Sequence, residues 1–234
     1  MTRLAAVDCG TNSIRLLICD STDGKIKEIH RTMEIVRLGE GVDETGHFSD
    51  AALARTANAL EGYATIMDIE RVNKVRMVAT SASRDAANKD EFFAMTAELL
   101  GRVVPGTQAE IISGEEEAAL SFKGAVADLP PEDGPFCVVD LGGGSTELVL
   151  GVDAPTAAIS LNTGSVRLTE RYLADGVAPA AEGAARAEVR GLLDRAAQAV
   201  DLSAAGRLVG LAGTITTVTA HALGLTDFDA EAID

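Results

Sequence analysis

The sequence contains the stretch VVDLGGGSTELVL at residues 138–150 and a similar stretch, AVDCGTNSIRLLI, at residues 6–18. Each stretch indicates an apolar strand, an aspartate, a glycine turn with polar side chains, and a second apolar strand. The two copies lie on either side of a break at residues 128–135, where two adjacent prolines are flanked by acidic residues and glycine. An internal duplication of one hairpin predicts two similar lobes, residues 1–126 and 127–234, whose loops face each other across a cleft.

The segments around the two copies alternate between strand and helix patterns. Ser49 is predicted to cap a helix that runs to about residue 71, and Ser113 a helix over about 115–125. A strand at 207–211 leads into a further helix. This alternation predicts an α/β fold.

The turn of each copy has the composition of an anion-binding loop. A glycine turn exposes successive backbone N–H groups, and glycine lets a phosphate approach the backbone closely. A plain hairpin turn also needs glycine, but this turn occurs twice, each time after an aspartate, and the repetition favours anion binding. The candidate phosphate-binding residues are Gly10, Thr11, Asn12 and Ser13 in the first copy, and Gly142, Gly143, Gly144, Ser145 and Thr146 in the second.

Asp8 and Asp140 stand immediately before these two turns. An ionised carboxylate cannot donate a hydrogen bond to phosphate, so it needs a divalent cation between them. Mg²⁺ (or Mn²⁺) bridging carboxylate, water and phosphate is the usual arrangement. The alternative is that each aspartate only shapes its turn through its own side chain.

The composition argues against several classes of protein. The net charge of −16, the absence of tryptophan and the 3% aromatic content argue against a nucleic-acid binder. No apolar run has the length of a membrane span, and the first residues do not resemble a signal peptide, so we expect a cytoplasmic protein that does not bind membranes. Cysteines 9, 19 and 137 lie in apolar runs and are predicted to be buried thiols, and the three isolated histidines have no zinc-ligand spacing.

Five motifs occur in order along the chain: DCGTNS at 8–13, ATSASRDA at 79–86, ISGEEEA at 112–118, VDLGGGSTE at 139–147 and GLAGT at 210–214. Together they resemble the exopolyphosphatase/guanosine pentaphosphate phosphatase (Ppx/GppA) family, a branch of the actin-like ATPase superfamily. The resemblance covers nearly the whole chain. It implies two ribonuclease-H-like lobes with an interlobe cleft, Mg²⁺-assisted hydrolysis of a phosphoanhydride in polyphosphate or guanosine pentaphosphate, and a homodimer.

The resemblance also gives roles to three acids. Glu117 matches the family's catalytic glutamate, which activates or positions the attacking water, and Asp140 and Glu147 match its metal-side acids. We therefore expect these three residues to be catalytic, and Asp8, Asp140 and Glu147 to bind the metal ion. The chemistry agrees, since no histidine is well placed and in-line attack needs an oriented water. The alternatives are that acids 115–117 merely favour a helix N-terminus and that Glu147 is an exposed residue at a strand start.

A polyanionic substrate needs a locally positive site in a protein of this net charge. Arg15, Arg84 and Arg167 each follow a polar loop, and the arginine fork suits phosphate oxygens. Arg84 is the strongest candidate, because its loop matches a family motif, and Arg167 is the weakest. Arg15 and Arg84 are therefore the candidate phosphate ligands. Gly213 and Thr214 open a helix after a strand and could bind an anion, although tight strand-to-helix packing explains these residues equally well.

Family members usually continue well beyond the glycine–threonine motif, so we expect the second lobe to lack its C-terminal part. Without the additional helical region of larger members, we expect a preference for short polyphosphates or a nucleotide polyphosphate. Two other functions stay open: a small-molecule kinase of the same superfamily, and a non-catalytic alarmone sensor or actin-like filament protein. Glu117 beside two Asp–Gly loops favours the hydrolase.

Overall fold

The computed structural model describes residues 2–233. Both duplicated stretches fold into antiparallel hairpins. In the first copy β1 (Thr2–Cys9) pairs with β2 (Ser13–Thr22), and in the second β6 (Phe136–Leu141) pairs with β7 (Thr146–Gly151). The predicted hairpin duplication is therefore confirmed.

The first unit ends at Ile112 and contains a five-stranded sheet in the order β3-β2-β1-β4-β5. The edge strand β3 (Lys25–Ile35) is antiparallel to its neighbour, whereas β4 (Lys74–Ala79) and β5 (Ala109–Ile111) pair in parallel. The helices of this unit are α1 (Val42–Thr45), α2 (Asp50–Ile69), α3 (Ser81–Asp85) and α4 (Lys89–Gly101).

Helix α2 begins where the sequence predicts, because the Ser49 hydroxyl accepts a hydrogen bond from the Ala52 N–H at 3.2 Å. Its apolar face lies in the core of the first unit. There the buried Tyr63 donates its hydroxyl hydrogen bond to the Ile14 carbonyl at 2.9 Å. This bond satisfies a polar group inside an otherwise apolar core.

The second unit begins at Ser113 and contains a four-stranded sheet in the order β8-β7-β6-β9. Strand β8 (Pro155–Leu161) is antiparallel to β7, and β9 (Arg207–Leu211) is parallel to β6. This order repeats β3-β2-β1-β4 of the first sheet, so the duplication extends beyond the hairpins. The helices are α5 (Gly114–Val126), α6 (Ser165–Leu168), α7 (Pro179–Ala199), α8 (Ala212–Ala222) and α9 (Ala230–Ile233).

Helix α5 belongs to the second unit, which moves the division between units to residue 112, earlier than the predicted boundary after residue 126. The reason is packing: Ala118 and Phe122 of α5 are fully buried against Phe136, Val138 and Val149 of the second sheet. The proline-rich break at 128–135 lies inside this unit. A proline-rich stretch predicts a loop but does not say which core the preceding helix joins.

The predicted burial of the cysteines agrees with the structure. All three cysteines are buried and free, and burial raises the pKa of the Cys9 thiol. Among the helices of residues 2–233, none has the length and apolar character needed to cross a membrane.

Candidate active site

Helix α5 carries two neighbouring stripes of side chains over the second sheet. The apolar stripe, Ala118 and Phe122, anchors the helix in the core. The second stripe consists of Glu117 and Ser121, which directly precede Ala118 and Phe122 in the chain. Both are half-buried, and they share a face of the helix because they are four residues apart. Anchoring the first stripe therefore fixes the second.

The start of α5 lies unusually close to β8. A Cβ atom added at Gly114 would lie 2.6 Å from the Ser160 Cβ and 2.7 Å from its Oγ, so no side chain fits there. The Ser113 hydroxyl accepts a hydrogen bond from the Glu116 N–H at 3.1 Å and caps the helix. These two contacts set the position of the helical turn that contains Glu117.

Beneath this turn, the sheet presents a row of polar side chains. In the strand register Asp140 is opposite Glu147, and Glu147 is opposite Ser160. Directly opposite residues of antiparallel strands project from the same face. Because side chains alternate along a strand, this is the face of Val138 and Val149, which α5 covers. Two acids and a serine therefore line the α5 side of the sheet.

Each of these acids accepts a hydrogen bond from a serine that is not among the site residues predicted from the sequence. The Ser121 hydroxyl donates to Asp140 Oδ2 at 2.6 Å, and the Ser160 hydroxyl donates to Glu147 Oε1 at 2.7 Å. The helical spacing from Glu117 could have identified Ser121. Ser160 carries no such signal, because its role follows from strand register alone.

The electrostatics of the row are those of crowded carboxylates. Glu147 is only 1% exposed. Burial, followed by the negative charges of Glu117 and Asp140, raises the pKa of Glu147 to about 8, although hydrogen bonds with Ser160 and Ser145 act in the opposite direction. Glu147 is therefore not an exposed strand-start residue, and the three predicted catalytic acids act on one another.

The glycine turn that joins β6 to β7 is held closed at its base. The Gly142 N–H donates to the Ser145 carbonyl at 3.1 Å, and the buried Thr146 donates its hydroxyl hydrogen bond to the Thr163 carbonyl at 2.7 Å. The next three N–H groups, those of residues 143–145, donate to no backbone carbonyl within residues 2–233. Such a series of open amides has the form of an anion-binding nest.

The first copy has the same turn but a different pair of charges. Its Gly10 N–H donates to the Ser13 carbonyl at 2.9 Å, as Gly142 does to Ser145. Asp8 is opposite Arg15 in the register, and Arg15 Nη1 donates to Asp8 Oδ2 at 2.9 Å. Arg15 thus occupies the position in the first copy that Glu147 occupies in the second. Its positive charge partly neutralises Asp8.

The remaining predicted phosphate ligands lie in three places: the turn between β1 and β2, the last turn of α3 and the first turn of α8. Arg84 lies on α3 and its Nη1 donates to the Ile112 carbonyl at 3.0 Å. Thr11 is buried, and its carbonyl accepts the Gly39 N–H at 2.8 Å. Gly213 and Thr214 are in the first turn of α8, which follows β9.

The donor set fits a divalent cation held partly by water. Asp140 and Glu147 supply carboxylate oxygens from adjacent strands, and their like charges are relieved by a cation. Within residues 2–233, no three histidine, cysteine or acidic side chains form a group that would enclose a metal ion by themselves. Mg²⁺ usually keeps several waters and binds one or two protein carboxylates together with substrate phosphates, so a pair of acids is enough for such a site.

Comparisons with known proteins agree with this geometry. Residues 17–226 match the model of the Ppx/GppA phosphatase family. The chain is 52% identical to exopolyphosphatase 2 of Mycobacterium tuberculosis over 238 residues, which cover 100% of this chain and 75% of that protein. It is also 38% identical to a bifunctional 3-dehydroquinate synthase/phosphatase of Fusobacterium nucleatum, over 72% of this chain and 26% of that protein.

Two solved structures similar to this chain are also related to exopolyphosphatases or belong to the Ppx/GppA family. The crystal structure of an exopolyphosphatase-like protein has a TM-score of 0.88 and 41% identity, with 97% of this chain and 70% of that chain covered. The Ppx/GppA family member of Aquifex aeolicus has a TM-score of 0.69 and 33% identity, with 99% of this chain and 72% of that chain covered. The predicted actin-like α/β fold is confirmed by these similarities.

Proposed function

Because the chain belongs to the Ppx/GppA phosphatase family, we propose that it is an exopolyphosphatase, which releases the terminal phosphate of inorganic polyphosphate. The relative with 52% identity is named an exopolyphosphatase, which supports this substrate. Membership in a phosphatase family leaves the kinase, sensor and filament alternatives without support. Cytoplasmic location and a homodimer remain predictions.

The observation that carries the proposal is the row of interacting acids beside the open glycine turn. Glu117 on α5 and the pair Asp140 and Glu147 on the sheet are close enough for their charges to interact. The turn of residues 142–145 directly connects the strands of this pair. Acids that can orient water thus adjoin amides that can bind a phosphate group.

In the proposed reaction, Glu117 accepts a proton from a water molecule as the water oxygen attacks the terminal phosphorus. The bond from that phosphorus to its bridging oxygen breaks, and the shortened chain leaves with the bridging oxygen. Ser121 holds Asp140 and Ser160 holds Glu147, so the acids on the sheet keep one orientation.

Asp140 and Glu147 are the proposed ligands of Mg²⁺ or Mn²⁺. When bound, the ion neutralises charge that develops on the phosphate oxygens. Asp8, the third predicted ligand, is a weaker candidate because its carboxylate already forms an ion pair with the positively charged Arg15, whereas Asp140 and Glu147 accept hydrogen bonds from neutral serines.

The substrate phosphates are proposed to bind the N–H groups of residues 143–145. The turn of residues 10–13, together with Arg15 and Arg84, and the first turn of α8 at Gly213 and Thr214 are additional proposed phosphate contacts. We further propose guanosine pentaphosphate as a second substrate and a preference for short polyphosphates over long ones.

The experiment is phosphate release from polyphosphates of graded length, guanosine pentaphosphate and ATP, with Mg²⁺ or Mn²⁺ and after removal of the ion by a chelator. We expect release from polyphosphate that stops without the ion and returns when Mg²⁺ is restored. Release only from ATP, or no release by folded protein, would contradict the proposed function. A rate that climbs steeply with chain length would contradict the preference for short chains.

A further inference from the structure

The glycine turn between β6 and β7 is tied down through its carbonyl groups by the segment that begins α6. Three successive carbonyls accept hydrogen bonds from this segment: Gly142 from the Ser165 N–H at 3.0 Å, Gly143 from the N–H groups of Val166 at 2.9 Å and Arg167 at 3.2 Å, and Gly144 from Arg167 Nε at 3.0 Å. Three glycines in a row are otherwise the most flexible backbone that a chain can have. The turn is therefore held by bonds from outside its own hairpin.

These bonds determine where the open amides point. In a trans peptide the carbonyl and the following N–H point in opposite directions. Holding the carbonyls of residues 142–144 toward α6 therefore directs the N–H groups of residues 143–145 to the opposite side. These are the amides that donate to no backbone carbonyl within the described chain.

We infer that Arg167 is a positioning residue, which holds the glycine turn in its anion-binding conformation through the Nε–H bond to the Gly144 carbonyl. This inference builds on the proposed function. It assigns the Nε–H group a structural role, in contrast to the role of a direct phosphate ligand. The side chain is half-buried, as expected for a group whose donor faces the protein.

Gly164 also contributes to holding the glycine turn, because it lets the segment that begins α6 approach closely. A Cβ atom at this position would lie 2.4 Å from the Gly143 carbonyl oxygen and 2.6 Å from the Gly142 carbonyl oxygen. Any side chain would push the two segments apart and break the bonds that Ser165 and Val166 make. A glycine here is thus required for the close approach that lets Arg167 reach Gly144.

Three substitutions separate the donor from the charge. Glutamine is neutral, but its Nε2 occupies the same position along the side chain as arginine Nε, so Arg167→Gln keeps the donor and loses the charge. Lysine places carbon at that position, so Arg167→Lys keeps the charge but loses the donor at that position. Arg167→Met loses both. Arg186→Gln, at an exposed residue of α7, is the control for the lost charge.

Binding of tripolyphosphate is measured by calorimetry in a Glu117→Gln background, and KM and kcat for polyphosphate are measured in the otherwise unchanged chain. Circular dichroism confirms that each variant is folded. We expect Arg167→Lys and Arg167→Met to raise Kd and KM about tenfold or more, with less than threefold change in kcat. Arg167→Gln should raise both by no more than about threefold, and Arg186→Gln should leave them unchanged.

The reverse order, with Arg167→Lys binding well and Arg167→Gln binding poorly, would assign Arg167 a charge-based contact and overturn the inference. Equal effects of all three substitutions would overturn it as well. Tripolyphosphate binding in the expected order without hydrolysis would refute the proposed function and support the positioning role. A folded chain that binds no tripolyphosphate would refute both.

Discussion

Substitution of Glu147 by glutamine should make the protein more stable at alkaline pH while removing its activity. Glutamine has nearly the shape of a protonated glutamate and keeps the oxygen that accepts the Ser160 hydrogen bond. It removes the charge that burial and two neighbouring acids disfavour. Because the acids are crowded, the ionised form of Glu147 should destabilise the fold even though the residue belongs to the candidate active site.

The magnitude follows from the pKa of Glu147, which burial and the two neighbouring acids together raise from 4.5 to about 8. Because the pKa is higher in the folded state, the protonated carboxyl contributes stability that is present below about pH 4.5 and is lost as the pH rises toward 8. Each pH unit in this window corresponds to about 1.4 kcal/mol. Between about pH 5.5 and pH 8 the unsubstituted chain therefore loses at most about 3 kcal/mol, and structural relaxation reduces this to about 1–2 kcal/mol.

The assay is urea unfolding followed by circular dichroism, since the chain has no tryptophan for fluorescence. Both proteins are measured at about pH 5.5 and about pH 8 in the presence of a chelator, because a bound cation would stabilise the ionised carboxylate. We expect the advantage of Glu147→Gln in the free energy of unfolding to grow by about 1–2 kcal/mol between the two pH values.

The matched control is Glu115→Gln, which removes the same charge from an exposed position of α5. Its effect on the free energy of unfolding should change by less than about 0.5 kcal/mol over the same pH range. An advantage of Glu147→Gln that is equal at both pH values would show that Glu147 titrates normally. The description of three interacting acids would then be wrong.

Three further predictions concern α5. Gly114→Ala should lower kcat at least about tenfold, because a Cβ atom 2.6 Å from that of Ser160 displaces the turn that contains Glu117. Ser121→Ala should lower kcat about threefold to tenfold, because Asp140 loses a 2.6 Å hydrogen bond. Phe122→Ala should lower the free energy of unfolding, measured with urea, by about 3–5 kcal/mol because the ring is fully buried.

Matched variants distinguish these effects from general damage. Gly124→Ala changes a glycine of the same helix whose added Cβ meets nothing within 4 Å, so it should keep kcat and raise stability slightly. Phe228→Ala, at a residue that is 72% exposed, should change stability by less than about 0.5 kcal/mol. Full activity of Gly114→Ala or of Ser121→Ala would contradict the positions given to Glu117 and Asp140.

Much of the fold could be predicted from the sequence because its signals are local. The Asp–Gly turns between apolar runs at 6–18 and 138–150 are contained within a few residues, and both form the expected hairpins. The serines at positions 49 and 113 cap helices as predicted, because a cap is formed with residues that follow directly in the chain.

The parts that could not be predicted depend on contacts distant in sequence. Ser160 acts on Glu147 because of the pairing of β7 with β8, and no spacing along the chain encodes that register. The opposite charges of Arg15 and Glu147 at equivalent positions are visible in the sequence, but their different environments follow from burial. The bond of Arg167 to the glycine turn depends on how α6 packs.

The most direct test of the account is the rate of phosphate release from a short polyphosphate with Mg²⁺, compared between Glu117→Gln and Glu115→Gln. Both variants lose one negative charge from the first turn of α5, and only Glu117 is proposed to accept the proton of the attacking water. We predict that Glu117→Gln lowers kcat by about 10²- to 10⁴-fold and that Glu115→Gln retains nearly the full rate. A Glu117→Gln rate within about threefold of the unsubstituted chain would contradict the account.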